Sequence, residues 1–382
     1  MNNTDPRWYT DEHRIFRDSI QKFFQKELTP NLPSWRKQGF VDQEFWRTAG
    51  AAGMLSTGIP EQYGGVGADL GFEAIIAQEQ MAVGDNCWAW SIHSICSHYI
   101  MAFGNEQQKA RWLPKLADGS YIPALCMSEP IAGSDLQALK TYAKEDSDGF
   151  KLNGAKTFIS NGQTANFLIV AAKMSNSKRS TNLSLFVVET DKADGFERGK
   201  KLEKIGLPGQ DTSELFFNDV FVPKENILGQ MGQGFRHLME QLPWERMIIA
   251  LGAVGYSELM MRETVEYVKN RHAFKKRLMD FQNTRFKLAE CQTKLEVTRA
   301  FVHQCLEQLL EGSLSNASAS MAKWWAAQVQ CEIADECLQL HGGYGYIMEY
   351  PIAHAYADAR IQQIYGGSRE IMKELIARSM DA

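Results

Sequence analysis

The chain is poor in the features that would commit it to an unusual environment. Its seven cysteines, Cys87, Cys96, Cys126, Cys291, Cys305, Cys331 and Cys337, include no C-x-x-C pair. An odd, scattered set in mostly apolar stretches excludes a disulfide framework and suits free thiols in a reducing compartment. The eight histidines show no pair at metal-ligand spacing, so no metal site is expected. No uninterrupted apolar run reaches membrane-spanning length. The N-terminus, MNNTDPRWYTDEHRIF, carries neither an apolar signal core nor an Arg-rich presequence. The expectation is a cytoplasmic protein, with a mature organellar form left open. Excess positive charge is also missing. A net charge of −5 argues against general attraction to nucleic acid or anionic membranes, although local basic groups could still hold a phosphate-bearing ligand.

What is present is ordinary in amount and informative in order. The 382 residues, 44% hydrophobic and 23% charged, suffice for a soluble globular enzyme with a large core. The first 122 residues read as helical. Thr10-Asp11-Glu12 marks a helix start ahead of Ile15, Phe16, Ile20 and Phe23-Phe24. A glycine-rich loop, Tyr63-Gly64-Gly65-Val66-Gly67, separates the early helices from the later ones. After Pro123 the texture turns to β-type runs, such as Phe167-Leu168-Ile169-Val170 and Leu183-Ser184-Leu185-Phe186-Val187-Val188, punctuated by turns including Asn161-Gly162. From Gly234 onward the pattern is helical again. Leu288, Cys291, Leu295, Thr298, Val302, Cys305 and Leu309 recur in steps of three and four, one mostly apolar stripe on a long bundle helix. The fold class expected is α+β. An N-terminal helical domain spans residues 1–122, a middle β-domain 123–232 and a C-terminal long-helix, four-helix-bundle domain 233–382. No internal repeat or low-complexity tract is visible.

Four segments could carry chemistry, and each has a plain structural reading beside it. Cys126-Met127-Ser128-Glu129-Pro130-Ile131-Ala132-Gly133-Ser134-Asp135 is rich in turn formers and could simply lead into the β-domain. Gly154-Ala155-Lys156, followed by Phe158-Ile159-Ser160-Asn161-Gly162, could be a strand and its turn. Arg271-His272-Ala273-Phe274, followed by Phe281-Gln282, could be a helix C-terminus with a dipole-favoured cation. Gln339-Leu340-His341-Gly342-Gly343-Tyr344-Gly345 reads as a helix stop. Any one alone would be weak.

Taken in order, these segments resemble the acyl-CoA dehydrogenase family, and the likeness spans residues 8–380. The resemblance implies the family fold, FAD as cofactor, an acyl-CoA substrate, an electron-transfer flavoprotein as electron acceptor, and a homotetramer. It implies that backbone groups near Met127 and the Ser128 hydroxyl meet the flavin pyrimidine edge. Phe158, where many members have Trp, would pack on the ring, and Ser160 would approach N5. Arg271, Phe274 and Gln282, with Gln339, Gly342 and Gly343, would serve the pyrophosphate and adenosine half across a subunit interface. Leu125, Ser368 and Glu370 complete the implied cofactor contacts. Ser134, Arg246 and Gly367 are the implied substrate contacts. Lys275 stands where the family has Gly, which questions the local turn.

The catalytic base is the informative departure. The family carries it in a Tyr-Glu-Gly-Thr motif, but here the string is Tyr365-Gly366-Gly367-Ser368. Glu245, in Leu242-Pro243-Trp244-Glu245-Arg246, stands where the long-chain and isovaleryl branches carry theirs. A charged residue on a helix is usually a solvated or paired surface group. The apolar flanks here predict a buried helix instead, and Pro243 is expected to distort it. The implied reaction is α,β-dehydrogenation of a long-chain or branched acyl-CoA. Glu245 would remove the α-proton, hydride would pass to flavin N5, and the Gly366 N–H would serve the thioester oxygen. Two alternatives stand beside it: a flavin oxidase or monooxygenase on the same scaffold, and a non-catalytic flavin-binding homologue.

Overall fold

The computed structural model describes residues 6–175 and 182–381; the first five residues of the polar N-terminus lie outside the described residues. The N-terminal helices are α1 (Asp11–Phe23), α2 (Leu32–Gln38), α3 (Gln43–Ala51), α4 (Leu70–Ala82), α5 (Trp90–Phe103) and α6 (Glu106–Ala117). The Thr10 signal acts as read. Its hydroxyl caps the His13 N–H, and the His13 ring reaches back to the Thr10 N–H. A π-helical stretch, Phe24–Leu28, follows α1 and was not legible in the sequence. α4 and α5 are buried on most of their surface, which explains why neither shows a polar face.

The β-domain holds β1 (Pro123–Cys126), β2 (Tyr142–Asp146), β3 (Gly149–Ser160), β4 (Phe167–Met174), β5 (Leu183–Glu189), β6 (Phe196–Lys201), β7 (Thr212–Pro223) and β8 (Ile227–Leu228). They form one sheet in the order β6-β7-β3-β2-β4-β5-β8, with β1 pairing parallel to β4. β4 is buried almost throughout because one face meets the helices and the other a second apolar cluster around Phe150, Phe186 and Phe217.

The helical remainder comprises α7 (Gly234–Asn270), α8 (Gln282–Leu310), α9 (Asn316–His341), α10 (Pro351–Ala359) and α11 (Arg369–Arg378). α7 runs as one helix across Pro243, so the expected distortion does not break it. The predicted stripe on α8 is buried at Leu288, Cys291, Leu295, Thr298, Val302 and Cys305, with Leu309 packed at its edge. Between α7 and α8 the sequence pattern missed a small hairpin, β9 (His272–Ala273) and β10 (Lys276–Arg277). Its two-residue turn places Phe274 and Lys275 both at positive φ, so the turn forms without a glycine.

One buried carboxylate joins the three regions. Asp358 on α10 accepts hydrogen bonds from Asn86 Nδ2 (3.0 Å) after α4, from the Leu207 N–H (2.5 Å) between β6 and β7, and from Tyr256 OH (2.7 Å) on α7. Gly206 permits this approach, since a Cβ there would lie 2.7 Å from the Ala357 backbone.

Candidate active site

Glu245 lies in the first third of α7 and is 5% exposed. Its neighbours Trp244, Met247 and Ile248 are buried with it, which confirms the apolar helix read from the flanks. Burial is the main cause that raises its carboxyl to about 7, opposed by a hydrogen bond from Tyr99 and by the Arg246 charge. The Tyr99 hydroxyl, on α5, donates to Oε1 at 2.9 Å. Arg246 turns the other way: its Nη1 donates to Ser320 Oγ (3.2 Å) and Asn316 Oδ1 (3.5 Å) on α9.

The Gly366 segment reaches the same helix. Gly366 has φ +61°, and a Cβ built there would lie 2.3 Å from Ile249 Cδ1. Ile249 follows Glu245 by one turn of α7, so positions 245 and 366 share one neighbourhood. The volume that a side chain at 366 would need is filled by Ile249. Gly367 (φ +96°) offers its carbonyl to the buried Lys323 of α9, with Nζ at 2.6 Å. Burial lowers the Lys323 ammonium to about 8, helped by the nearby Arg246 charge. Ser368 caps α11 by accepting from the Ile371 N–H, and Glu370 is exposed and paired with Arg369. Gly366→Ala should destabilise the fold by about 1–3 kcal/mol, from left-handed strain plus contact with Ile249. Adding Ile249→Ala should remove the contact but leave the strain. Urea unfolding of the single and double variants checks this.

A second cluster lies where β1 leaves the sheet. The buried Lys156 donates to the Met127 carbonyl (3.0 Å) and to Glu129 Oε1 (2.9 Å), while the Thr157 N–H donates to the Ser128 carbonyl (3.0 Å). These bonds hold residues 127–129 beside the β3 register shift that contains Phe158. Phe158 has φ +59° and is 69% exposed. An aromatic residue held outward at positive φ is a strained arrangement of the kind found at ligand platforms. Leu125 and Ser160 are half-buried nearby on β1 and β3, and Ser134 is exposed in the following loop.

The remaining predicted residues gather at the far end of the bundle. The Arg271 guanidinium lies over the Tyr344 ring (5.5 Å), and the Phe274 ring is 6.4 Å from that of Phe281, next to the exposed Gln282. Gln339, Gly342 and Gly343 are exposed, and a Cβ at either glycine would meet nothing within 4 Å. Arg271 follows the end of α7, about 40 Å beyond Glu245 at 1.5 Å per residue. The fold therefore brings Glu245, Arg246, Gly366 and Gly367 together and holds the Arg271 group apart from them. Sequence reasoning assigned no role to Tyr99, Ile249, Lys156 or Lys323. Lys156 and Lys323 had a usable signal, as lysines within apolar surroundings. Tyr99 and Ile249 had none.

This architecture, helices then sheet then helices with a buried carboxylate on the first bundle helix, defines a class of enzyme scaffold. The chain belongs to the acyl-CoA dehydrogenase family: the family's N-terminal, middle and C-terminal domain models match residues 10–120, 124–220 and 232–380. It is 48% identical over 98% of its length to a mitochondrial long-chain specific acyl-CoA dehydrogenase from Sus scrofa, covering 87% of that protein. It is 32% identical to a mitochondrial isovaleryl-CoA dehydrogenase from Solanum tuberosum, over 97% of this chain and 91% of that one. A solved acyl-CoA dehydrogenase from Geobacillus kaustophilus superposes with a TM-score of 0.96 at 42% identity, covering 99% of this chain and 100% of that one. The protein is accordingly an acyl-CoA dehydrogenase family enzyme, with the α+β architecture expected. Among the described residues no helix is long and apolar enough to cross a membrane.

Proposed function

We propose that this enzyme oxidises a long-chain acyl-CoA to the 2-enoyl-CoA, with Glu245 as the base. The observation that carries the reading is the burial of Glu245 on α7 one turn from Ile249, which packs on Gly366. A carboxylate in an apolar setting has raised proton affinity, which suits removal of a weakly acidic α-proton. The Gly366 N–H would bind the thioester oxygen, with the Gly366-Gly367 segment anchored through Lys323. Arg246, Gly367 and Ser134 would contact the acyl-CoA. The long-chain reading is favoured over the branched one by the greater likeness to the long-chain relative.

The residues present fit FAD. Phe158 offers an outward ring beside the backbone of Met127 and Ser128, and Arg271 stands near two glycines with open space above them. Met127, Ser128, Phe158 and Ser160 would hold the isoalloxazine half, and Leu125, Ser368 and Glu370 would make further contacts to the cofactor. Arg271, Phe274, Gln282, Gln339, Gly342 and Gly343 would hold the adenosine half of a neighbouring copy's FAD. When bound, FAD supplies the acceptor for the β-hydrogen and its electron pair. The separation of Arg271 from Glu245 along α7 favours a homo-oligomer, of which a tetramer is the family form. The domain divisions at 122/123 and 232/233, an electron-transfer flavoprotein as acceptor, and a reducing compartment such as the cytoplasm complete the reading. For comparison, the Sus scrofa and Solanum tuberosum relatives are mitochondrial.

The test is anaerobic bleaching of the purified flavoprotein by a panel of straight and branched acyl-CoAs. Bleaching by palmitoyl-CoA well ahead of isovaleryl-CoA is expected. No bleaching by any member would sink the enzymatic reading, and a branched-chain preference would move it to the other branch. Hydrogen peroxide formed stoichiometrically in air would favour an oxidase.

A further inference from the structure

We propose that Tyr99 is a positioning residue for the base: its hydroxyl holds Glu245 Oε1 so that Oε2 is left to take the substrate proton. This rests on the reading of Glu245 as the base. Tyr99 has no exposed surface, and its ring packs edge-on to Phe103 at 6.0 Å. A buried phenol needs a partner for its O–H. Here that partner is the carboxylate of a residue 146 positions away, at 2.9 Å. Among the described residues no other hydrogen bond reaches the Glu245 carboxylate.

The contact is locked in register. Trp244, next to Glu245, donates its indole N–H to Ser94 Oγ at 3.0 Å, and Ser94 lies on the same helix as Tyr99. Ser94 in turn donates to the buried Glu73 of α4, which also bonds His98 Nε2 at 3.1 Å. Adjacent residues of α7 are thus tied to α5 at two points, so the phenol cannot drift from the carboxylate. The hydroxyl also stays a donor, because burial and the Glu245 charge raise Tyr99 well above its ordinary range.

Few other groups face the carboxylate. Cys96 comes from α5, where burial keeps its thiol neutral, and Arg246 comes from α7 itself. Cys126 of β1 stands beyond Cys96, and Lys323 of α9 beyond Arg246. Arg246 gives its hydrogen bonds to α9, so it acts on Glu245 only through its charge. Tyr99 is therefore the group that offers the ionised carboxylate a bond and opposes the effect of burial.

The test compares Tyr99→Phe with the wild-type holoenzyme. Two readouts are used: the pH profile of flavin reduction by palmitoyl-CoA, and infrared titration of the Glu245 carboxyl band without substrate, identified by its absence in Glu245→Gln. In Tyr99→Phe both midpoints should rise by about one pH unit, with a rate about tenfold lower on the acid limb. Tyr99→Gln, which keeps an N–H donor, should stay within a few tenths of the wild-type midpoint. Unmoved midpoints in Tyr99→Phe, with Glu245→Gln inactive, would overturn the role of Tyr99 and leave the base assignment standing. Should Tyr99→Phe fail to fold, a wild-type midpoint in Tyr99→Leu would overturn it equally. Wild-type reduction by Glu245→Gln would remove the base assignment and this proposal together.

Discussion

Glu245→Gln should fold, bind flavin and lose flavin reduction by acyl-CoA by roughly a hundredfold to ten-thousandfold, the range a general base contributes. The amide keeps the shape of the carboxyl and a partner for Tyr99, but it cannot accept the α-proton. Stopped-flow bleaching at saturating palmitoyl-CoA measures the loss. In the wild-type enzyme the same rate should rise with pH and level off above about 7, because the base acts only when ionised. Stability carries the opposite sign. The unfolded carboxyl ionises near 4.5 and the folded one near 7, so the folded state holds the extra proton between these values. The stability this contributes is present below 4.5 and lost as pH rises to about 7. Glu245→Gln lacks that loss. It should therefore melt above the wild-type protein at pH 8, by on the order of 2–3 kcal/mol, with the gap closing toward pH 5.

The second large effect concerns stability. Asp358→Ala should cost about 3–6 kcal/mol and lower Tm by on the order of 10 °C. Three buried donors, the Leu207 N–H, the Asn86 amide and the Tyr256 hydroxyl, would lose their acceptor at once. Each unsatisfied buried group costs about 1–3 kcal/mol. Because these donors come from three regions of the chain, the loss should loosen the joint between them. Limited proteolysis between β6 and β7 should quicken before global unfolding. Asp358→Asn, with one carbonyl oxygen left, should fall between the two. A Tm within a degree or two of wild type for Asp358→Ala would show that water replaces the lost acceptor. α10 leads through a short 3-10 turn, Arg360–Gln363, to the Gly366 segment, so flavin reduction should also fall in Asp358→Ala.

Much of the site was legible because it is written in local strings. The turn-rich segment at Met127, Ser128 and Ser134, the strand holding Phe158, and the glycines at 342 and 343 all depend on neighbours within a few residues. The strained backbone of Phe158 was not legible, since it arises from the β3 register shift against β7. The hairpin at Phe274-Lys275 was missed for a similar reason. It needs positive φ at two residues whose types do not advertise it.

The order of helices, sheet and helices, the placement of Glu245 on an apolar helix, and the absence of a carboxylate at 366 are all legible in the chain. Those are matters of composition and period along the chain. Packing is what seals Glu245 from water, brings Tyr99 to it from α5, and puts Ile249 in the space a side chain at 366 would need. The physical reason is that burial and hydrogen-bond partners are set by which helices pack together, and pairings across 146 residues leave no trace in local pattern.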